Sequence, residues 1–298
     1  MKRLAIFAHF DKNNIIEDYV VYYVNQLKKH CEKVLFLTLS NLSEEEQNKL
    51  EDVILLNVNH NEYDFGSYKK GFNYAKEHSL LENIDEIIFV NDSVYCINPL
   101  DKIFENEPNS NFWGIVENKY GFKNFEKLCF SKKSPHIQSW FIAFRKNVFE
   151  SEVFQEFLSS IKEEKCKNDI ILKYEIKLTQ TLVNSGFTYS TILNKFKNSY
   201  NPSIYYWREI LKENIPFVKR SVLLGLNRDK TTIINYEKEI SNENALNFIK
   251  KNTGEIKINK FTPKPLKKLM FKFLRICPDI LRRIFTKFLK TFCSFLFD

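Results

Sequence analysis

Apolar residues in the first half of this chain fall in short blocks, alternating with stretches where they recur every three or four positions. Leu4–Ala8 is too short for a helix and predicts a buried strand. From Asn14 to Lys29 the positions Ile15, Tyr19, Tyr22, Tyr23 and Leu27 keep helical spacing. Lys33–Leu39 and Val53–Val58 predict two more strands, the stretch from Gly66 to Glu77 a helix, and Glu86–Val90 a further strand. Phe112–Val116 and Ser139–Phe144 extend the strand set, and helical spacing returns at Val153–Ile161 and Asp169–Asn184. A Tyr-, Trp- and Pro-containing cap is expected at Asn194–Arg220, followed by a polar helix from Tyr236 to Lys251. This β-α-β order predicts an α/β, Rossmann-type, mostly parallel sheet with helices on both faces. Ligands of such sheets bind beyond the carboxyl ends of the strands. That rule selects His9, the Asn57–Gly66 segment and Asn91–Tyr95.

Charge divides the chain more sharply than hydropathy does. Residues 264–298 hold nine Lys or Arg against two Asp, a net of +7 out of the +8 of all 298 residues. The first 263 residues are therefore close to neutral, at +1. Within the tail, Ile280, Leu281, Ile284, Phe285, Phe288, Leu289 and Phe292 recur at helical spacing, with Arg282, Arg283, Lys287 and Lys290 between them. An apolar stripe flanked by cations predicts an amphipathic helix lying in the interface of an anionic membrane. A neutral body with a Phe-rich basic tail argues against nucleic acid as a partner. The expected organisation is a catalytic domain at 1–235, a polar linker at 236–263 and a membrane-associating tail at 264–298. None of the six cysteines has zinc spacing, and the amino terminus has no signal-peptide pattern, so a reduced, intracellular protein is expected.

Three polar segments stand at the strand ends. In Tyr63-Asp64-Phe65-Gly66-Ser67-Tyr68-Lys69, a carboxylate opens a helix, where it either caps the first turn or meets a nucleotide. Asn91-Asp92-Ser93 follows an apolar strand, where an Asx turn or a metal–diphosphate site both fit. The usual metal-holding form of such a segment is Asp-x-Asp, and here only Asp92 is a hard ligand. His136 and Gln138 share one side of an extended segment, as structural residues or as contacts to a substrate.

Together with Ala8-His9-Phe10-Asp11, Phe112-Trp113-Gly114, Ser139-Trp140-Phe141, Tyr174-Glu175 before Leu178-Thr179, and Pro216-Phe217-Val218-Lys219-Arg220, these segments resemble the rhamnan synthesis F family. These are bacterial glycosyltransferases of lipopolysaccharide and capsule assembly. The resemblance implies a GT-A-like fold and a nucleotide-sugar donor, UDP- or dTDP-linked, with Mn²⁺ or Mg²⁺ as an accompanying metal. It implies a sugar of the rhamnose, galactose or galactofuranose class, a lipid-linked or lipopolysaccharide glycan as acceptor, and a place on the inner face of the inner membrane. On matching positions it implies Asp64 and Lys69 at the diphosphate, with His9, Gly66, Asn91, Ser93 and Lys219 also on the donor. Asp92 would hold the metal, His136 and Gln138 would line the donor or acceptor side, and Glu175 would be the base. Two departures are Glu62, where members carry Gly, and Cys96-Ile97-Asn98-Pro99, where members continue with Gly-Pro. The other reading is an inactive sugar-nucleotide fold serving as a scaffold in glycan assembly.

Overall fold

The computed structural model describes residues 1–119, 134–196, 201–225, 233 and 235–254; the tail expected at 264–298 lies outside them. Among the described residues ten strands are formed: β1 (Arg3–His9), β2 (Lys33–Thr38), β3 (Ile54–Asn57), β4 (Glu86–Asn91), β5 (Val94–Cys96), β6 (Phe112–Asn118), β7 (His136–Ile137), β8 (Phe141–Arg145), β9 (Tyr189–Leu193) and β10 (Phe217–Lys219). Strands β3, β2, β1 and β4 lie side by side, all parallel. The sheet continues into β8 and β6, which pair antiparallel, and β9 returns parallel to β6. The expected mostly parallel α/β sheet is formed, with antiparallel pairs confined to β4–β8, β8–β6 and β6–β7.

Alternation along β1 explains why both faces are covered. Ala5 and Phe7 join one core with α1 (Asp18–Lys28), while Leu4, Ile6 and Ala8 join a second core with the helix Tyr63–Glu77. Gly71 lets that helix lie close to the sheet, since a Cβ there would stand 2.6 Å from Ile6 Cγ2. The helix Glu243–Thr253, expected within a linker, instead packs Ala245, Phe248 and Ile249 into the first core. Its Phe248 ring lies 5.7 Å from Tyr22 of α1.

Two irregularities shape the carboxyl end of the sheet. Strands β7 and β8 both pair antiparallel with β6, but between the Glu117–Ile137 and Gly114–Ile142 pairs three steps of β6 face five of the partner. Gln138 N still bonds Val116 O at 3.3 Å, and Ser139 and Trp140 then leave the ladder, the kind of interruption that re-aims side chains next to active sites. The second is a π-helical stretch, Ile171–Glu175, set between the α-helical turns Lys167–Ile170 and Ile176–Asn184. Such stretches recur at functional sites.

Candidate active site

At the end of β4 the Asn-Asp-Ser segment is wired rather than open. Asn91 is buried and donates Nδ2–H to Asp64 Oδ2 at 2.8 Å, while its Oδ1 accepts from Ser93 N at 3.1 Å and Ser93 Oγ at 2.5 Å. Ser93 Oγ in turn accepts from Lys219 Nζ at 2.9 Å. A single line of hydrogen bonds thus runs from ammonium to hydroxyl to amide to carboxylate. Strand β10 makes this meeting possible: it pairs antiparallel with β5, setting Lys219 opposite Val94, and Arg220 N donates to Ser93 O at 3.0 Å.

Asp92 stands beside this line. Its Oδ2 accepts the Phe10 amide at 3.2 Å and lies 4.0 Å from Arg220 Nη1, whose guanidinium rests over the Tyr19 ring at 4.6 Å. Burial raises the pKa of Asp64 to about 6, with Asp92 adding repulsion. Burial also brings Asp92 to about 6, against the pull of Arg220. Burial lowers Lys219 to about 8, although Glu175, Asp64 and Asp92 all favour its charge.

Glu175 comes from the π-helical stretch. Its Oε2 accepts from Ser139 Oγ at 2.8 Å, and its Oε1 lies 3.6 Å from Nε2 of buried His136. Burial opposes the charged form, yet His136 and the Ser139 hydroxyl hold Glu175 below the usual carboxylate value. Glu175 is also the first of the carboxylates that act on Lys219. A proton acceptor and a cation therefore share one polar cluster at the strand ends, with Lys219 Nζ 5.8 Å from the ring of Trp140, next in the chain to Ser139.

The structure gathers Asp64, Asn91, Asp92, Ser93, Glu175 and Lys219, and puts other expected residues behind or beside them. His9 is buried, its Nδ1 2.9 Å from Thr38 Oγ1, and burial lowers its pKa to about 4. His136 is likewise buried, so it supports Glu175 instead of lining a substrate side. Gln138 donates to Asn201 Oδ1 and accepts from Trp140 Nε1, which brackets the interrupted ladder. Gly66 is needed for packing, since a Cβ would stand 2.4 Å from His60 Nδ1. Lys69, expected at the diphosphate, binds the carbonyls of Ser159 and Ile161, at 3.3 and 2.8 Å. Five positions after Asp64 is about 140° around a helix, which turns the ammonium away. Asp64 itself does not cap its helix, because its carboxylate reaches across to Asn91. Ser139 and Arg220 were open to view in the sequence, but only the interrupted ladder and the β5–β10 ribbon give them their places.

The side chains here are already engaged where the resemblance implies a metal. Asp64 already holds Asn91, Asp92 holds Phe10 and faces Arg220, and Glu175 holds Ser139. Among the described residues no three His, Cys, Asp or Glu side chains form a group suited to a metal ion. Lys219 stands at Ser93 and Arg220 4.0 Å from Asp92, so cations already lie beside this segment and these residues do not fit a divalent ion.

The model of the family described as rhamnan synthesis protein F matches residues 34–261. The virulence protein VirA of Vibrio anguillarum is 26% identical over 184 residues, covering 54% of this chain and 59% of that relative. The chain thus spans about three-fifths of the length of the curated relative it matches. Among solved structures, a 4-diphosphocytidyl-2C-methyl-D-erythritol synthase is similar with a TM-score of 0.44, at 13% identity, over 70% of this chain and 98% of that one. A glycosyltransferase involved in glycosylation of the major capsid of PBCV-1 gives a TM-score of 0.38 at 13% identity, over 74% and 93%. With its motifs from Tyr63 to Arg220 inside the matched span, the chain belongs to the rhamnan synthesis protein F family.

Proposed function

We propose that this chain moves a sugar of the rhamnose, galactose or galactofuranose class from a UDP- or dTDP-sugar to a hydroxyl of a growing lipopolysaccharide or capsule glycan. The acceptor is lipid-linked, and the basic tail holds the protein on the cytoplasmic face of the inner membrane. The observation that carries the reading is a carboxylate and two cations at the carboxyl ends of the strands: Glu175 is held by Ser139, Lys219 lies 5.8 Å from the ring of the adjacent Trp140, and Arg220 stands 4.0 Å from Asp92. An acceptor hydroxyl beside Glu175 passes its proton to the carboxylate as its oxygen bonds to the anomeric carbon. The bond from that carbon to the diphosphate oxygen breaks in the same displacement, and the nucleoside diphosphate leaves with added negative charge. Lys219 and Arg220 stabilise that charge. Ser139 and His136 keep Glu175 ionised and aimed, while the exposed rings of Phe10 and Tyr63 offer stacking faces for the base.

A panel of UDP-, dTDP-, GDP- and CMP-sugars tests this by thermal stabilisation of the full-length protein. One donor class should stabilise both wild type and Glu175→Gln. Transfer to a lipid-linked acceptor should fall by about 10²- to 10⁴-fold in the variant, the usual contribution of a general base. Absence of stabilisation by every donor, in folded protein, would favour the scaffold reading.

A further inference from the structure

We infer that Lys219, wired through Ser93 and Asn91 to Asp64, is the resident counter-charge for the departing diphosphate and makes donor binding independent of a divalent metal. The inference rests on the nucleotide-sugar reading above and deepens it.

The argument begins with the two outer positions of the Asn-Asp-Ser segment. In an Asp-x-Asp segment those positions supply carboxylates that remain available to a cation. Here each is committed within the protein. Asn91 donates to Asp64 and accepts from Ser93, while Ser93 accepts from Lys219. The direction of donation is the same at every link, from the Lys219 nitrogen to an Asp64 oxygen, and the end bonds are strongest with an ammonium at one end and a carboxylate at the other. An aspartate at position 91 would set a second acceptor against Asp64 and break it.

The cation is placed by backbone as well as by side chain. The β5–β10 pairing and the Arg220 N to Ser93 O bond fix positions 219 and 220 against the segment that would otherwise hold a metal. Glu175, Asp64 and Asp92 all act on Lys219, so its ammonium already takes the electrostatic role a divalent ion would have among them. The bond to Ser93 Oγ uses one of its three donors, and its partner is a neutral hydroxyl. A phosphate oxygen would therefore meet a charge that no tight ion pair has cancelled. A divalent ion entering the same space would be repelled by Lys219 and Arg220.

Calorimetric titration of the full-length protein with UDP, dTDP and GDP, in EDTA and again with Mn²⁺ or Mg²⁺, tests the inference. One nucleoside diphosphate should bind equally well in both conditions. Lys219→Met should weaken that binding by about tenfold to a hundredfold, as expected for charge-assisted hydrogen bonds, and Lys219→Arg should regain part of it. Ser93→Ala, which releases the ammonium while leaving its charge, should weaken binding less than Lys219→Met. Wild-type binding that needs metal would overturn the inference and leave the glycosyltransferase reading intact. So would a folded Lys219→Met protein that binds like wild type. Absence of binding in either condition would overturn both.

Discussion

Asp64 occupies an unfavourable place for a carboxylate, and that is informative about what the place is for. Its pKa rises from 3.8 to about 6 on folding, first through burial and then through Asp92. Below about pH 4 the group is protonated in both folded and unfolded chains and makes no difference to stability. Between 4 and 6 the unfolded chain has released its proton and the folded protein has not, so stability falls as pH rises through that window. Above 6 the full penalty is present. Replacement by an uncharged isostere removes it, and Asp64→Asn should be more stable than wild type at pH 7.5 by about 1 to 3 kcal/mol. The gap should close as pH falls from 6 to 4, and donor binding should weaken in the same variant. Urea unfolding at pH 4 and 7.5 checks this, and equal stabilities at pH 7.5 would refute it. The residue was visible in the sequence as a carboxylate opening a helix. Its partner was not, because Asn91 lies 27 positions away and only the parallel packing of β1 and β4 with the Tyr63–Glu77 helix brings the two together.

Among the elements, the interrupted ladder beside β6 governs the catalytic side. Gly114 has no room for a side chain: a Cβ would stand 2.2 Å from Ile137 Cγ2 and 2.8 Å from Phe141 O. Ile137 cannot easily retreat, since it is buried and its amide is held by Thr179 Oγ1 at 3.2 Å. Gly114→Ala should therefore push β7 and β8 away from β6, at a cost of about 1 to 3 kcal/mol. Ser139, between those strands, would move and loosen its hold on Glu175. Turnover should fall with the donor dissociation constant little changed, because Lys219 lies on the separate β5–β10 ribbon. A variant with wild-type melting temperature and turnover would show that Ile137 can yield. Period-two reading found the strand at 139–144 but could not see the two inserted residues. It therefore placed His136 and Gln138 on one side of an extended segment, as structural residues or substrate contacts, and the structure engages both internally. Helical spacing likewise found 169–184 but not its π turn, since one extra residue per turn barely changes the spacing of apolar positions. The strands β1, β2 and β4 were legible because their middle residues, Leu4–Ala8, Val34–Leu37 and Ile87–Val90, are apolar runs buried on both faces.

At the scale of the whole molecule the charge is segregated, with +7 of the net +8 in residues 264–298. The described body closes on itself: Phe248 packs against Tyr22, and Tyr95 OH donates to Asn252 Oδ1 at 2.6 Å. No helix among the described residues is long and apolar enough to cross a membrane. The nine cations of residues 264–298 follow this body, interleaved with phenylalanines and leucines. Each cation near an anionic surface is worth about 1 kcal/mol, and the attraction is screened within about 10 Å at 0.1 M salt. A protein ending at residue 263 should keep the melting temperature and donor affinity of the full chain and lose sedimentation with anionic vesicles. Raising salt should weaken vesicle binding of the full chain, and vesicles of neutral lipid should bind it poorly. Vesicle binding that survives the truncation would move the membrane contact onto the body. A truncated protein that melts early would instead make the tail part of the fold, its apolar stripe covering the protein's own surface and its cations facing water.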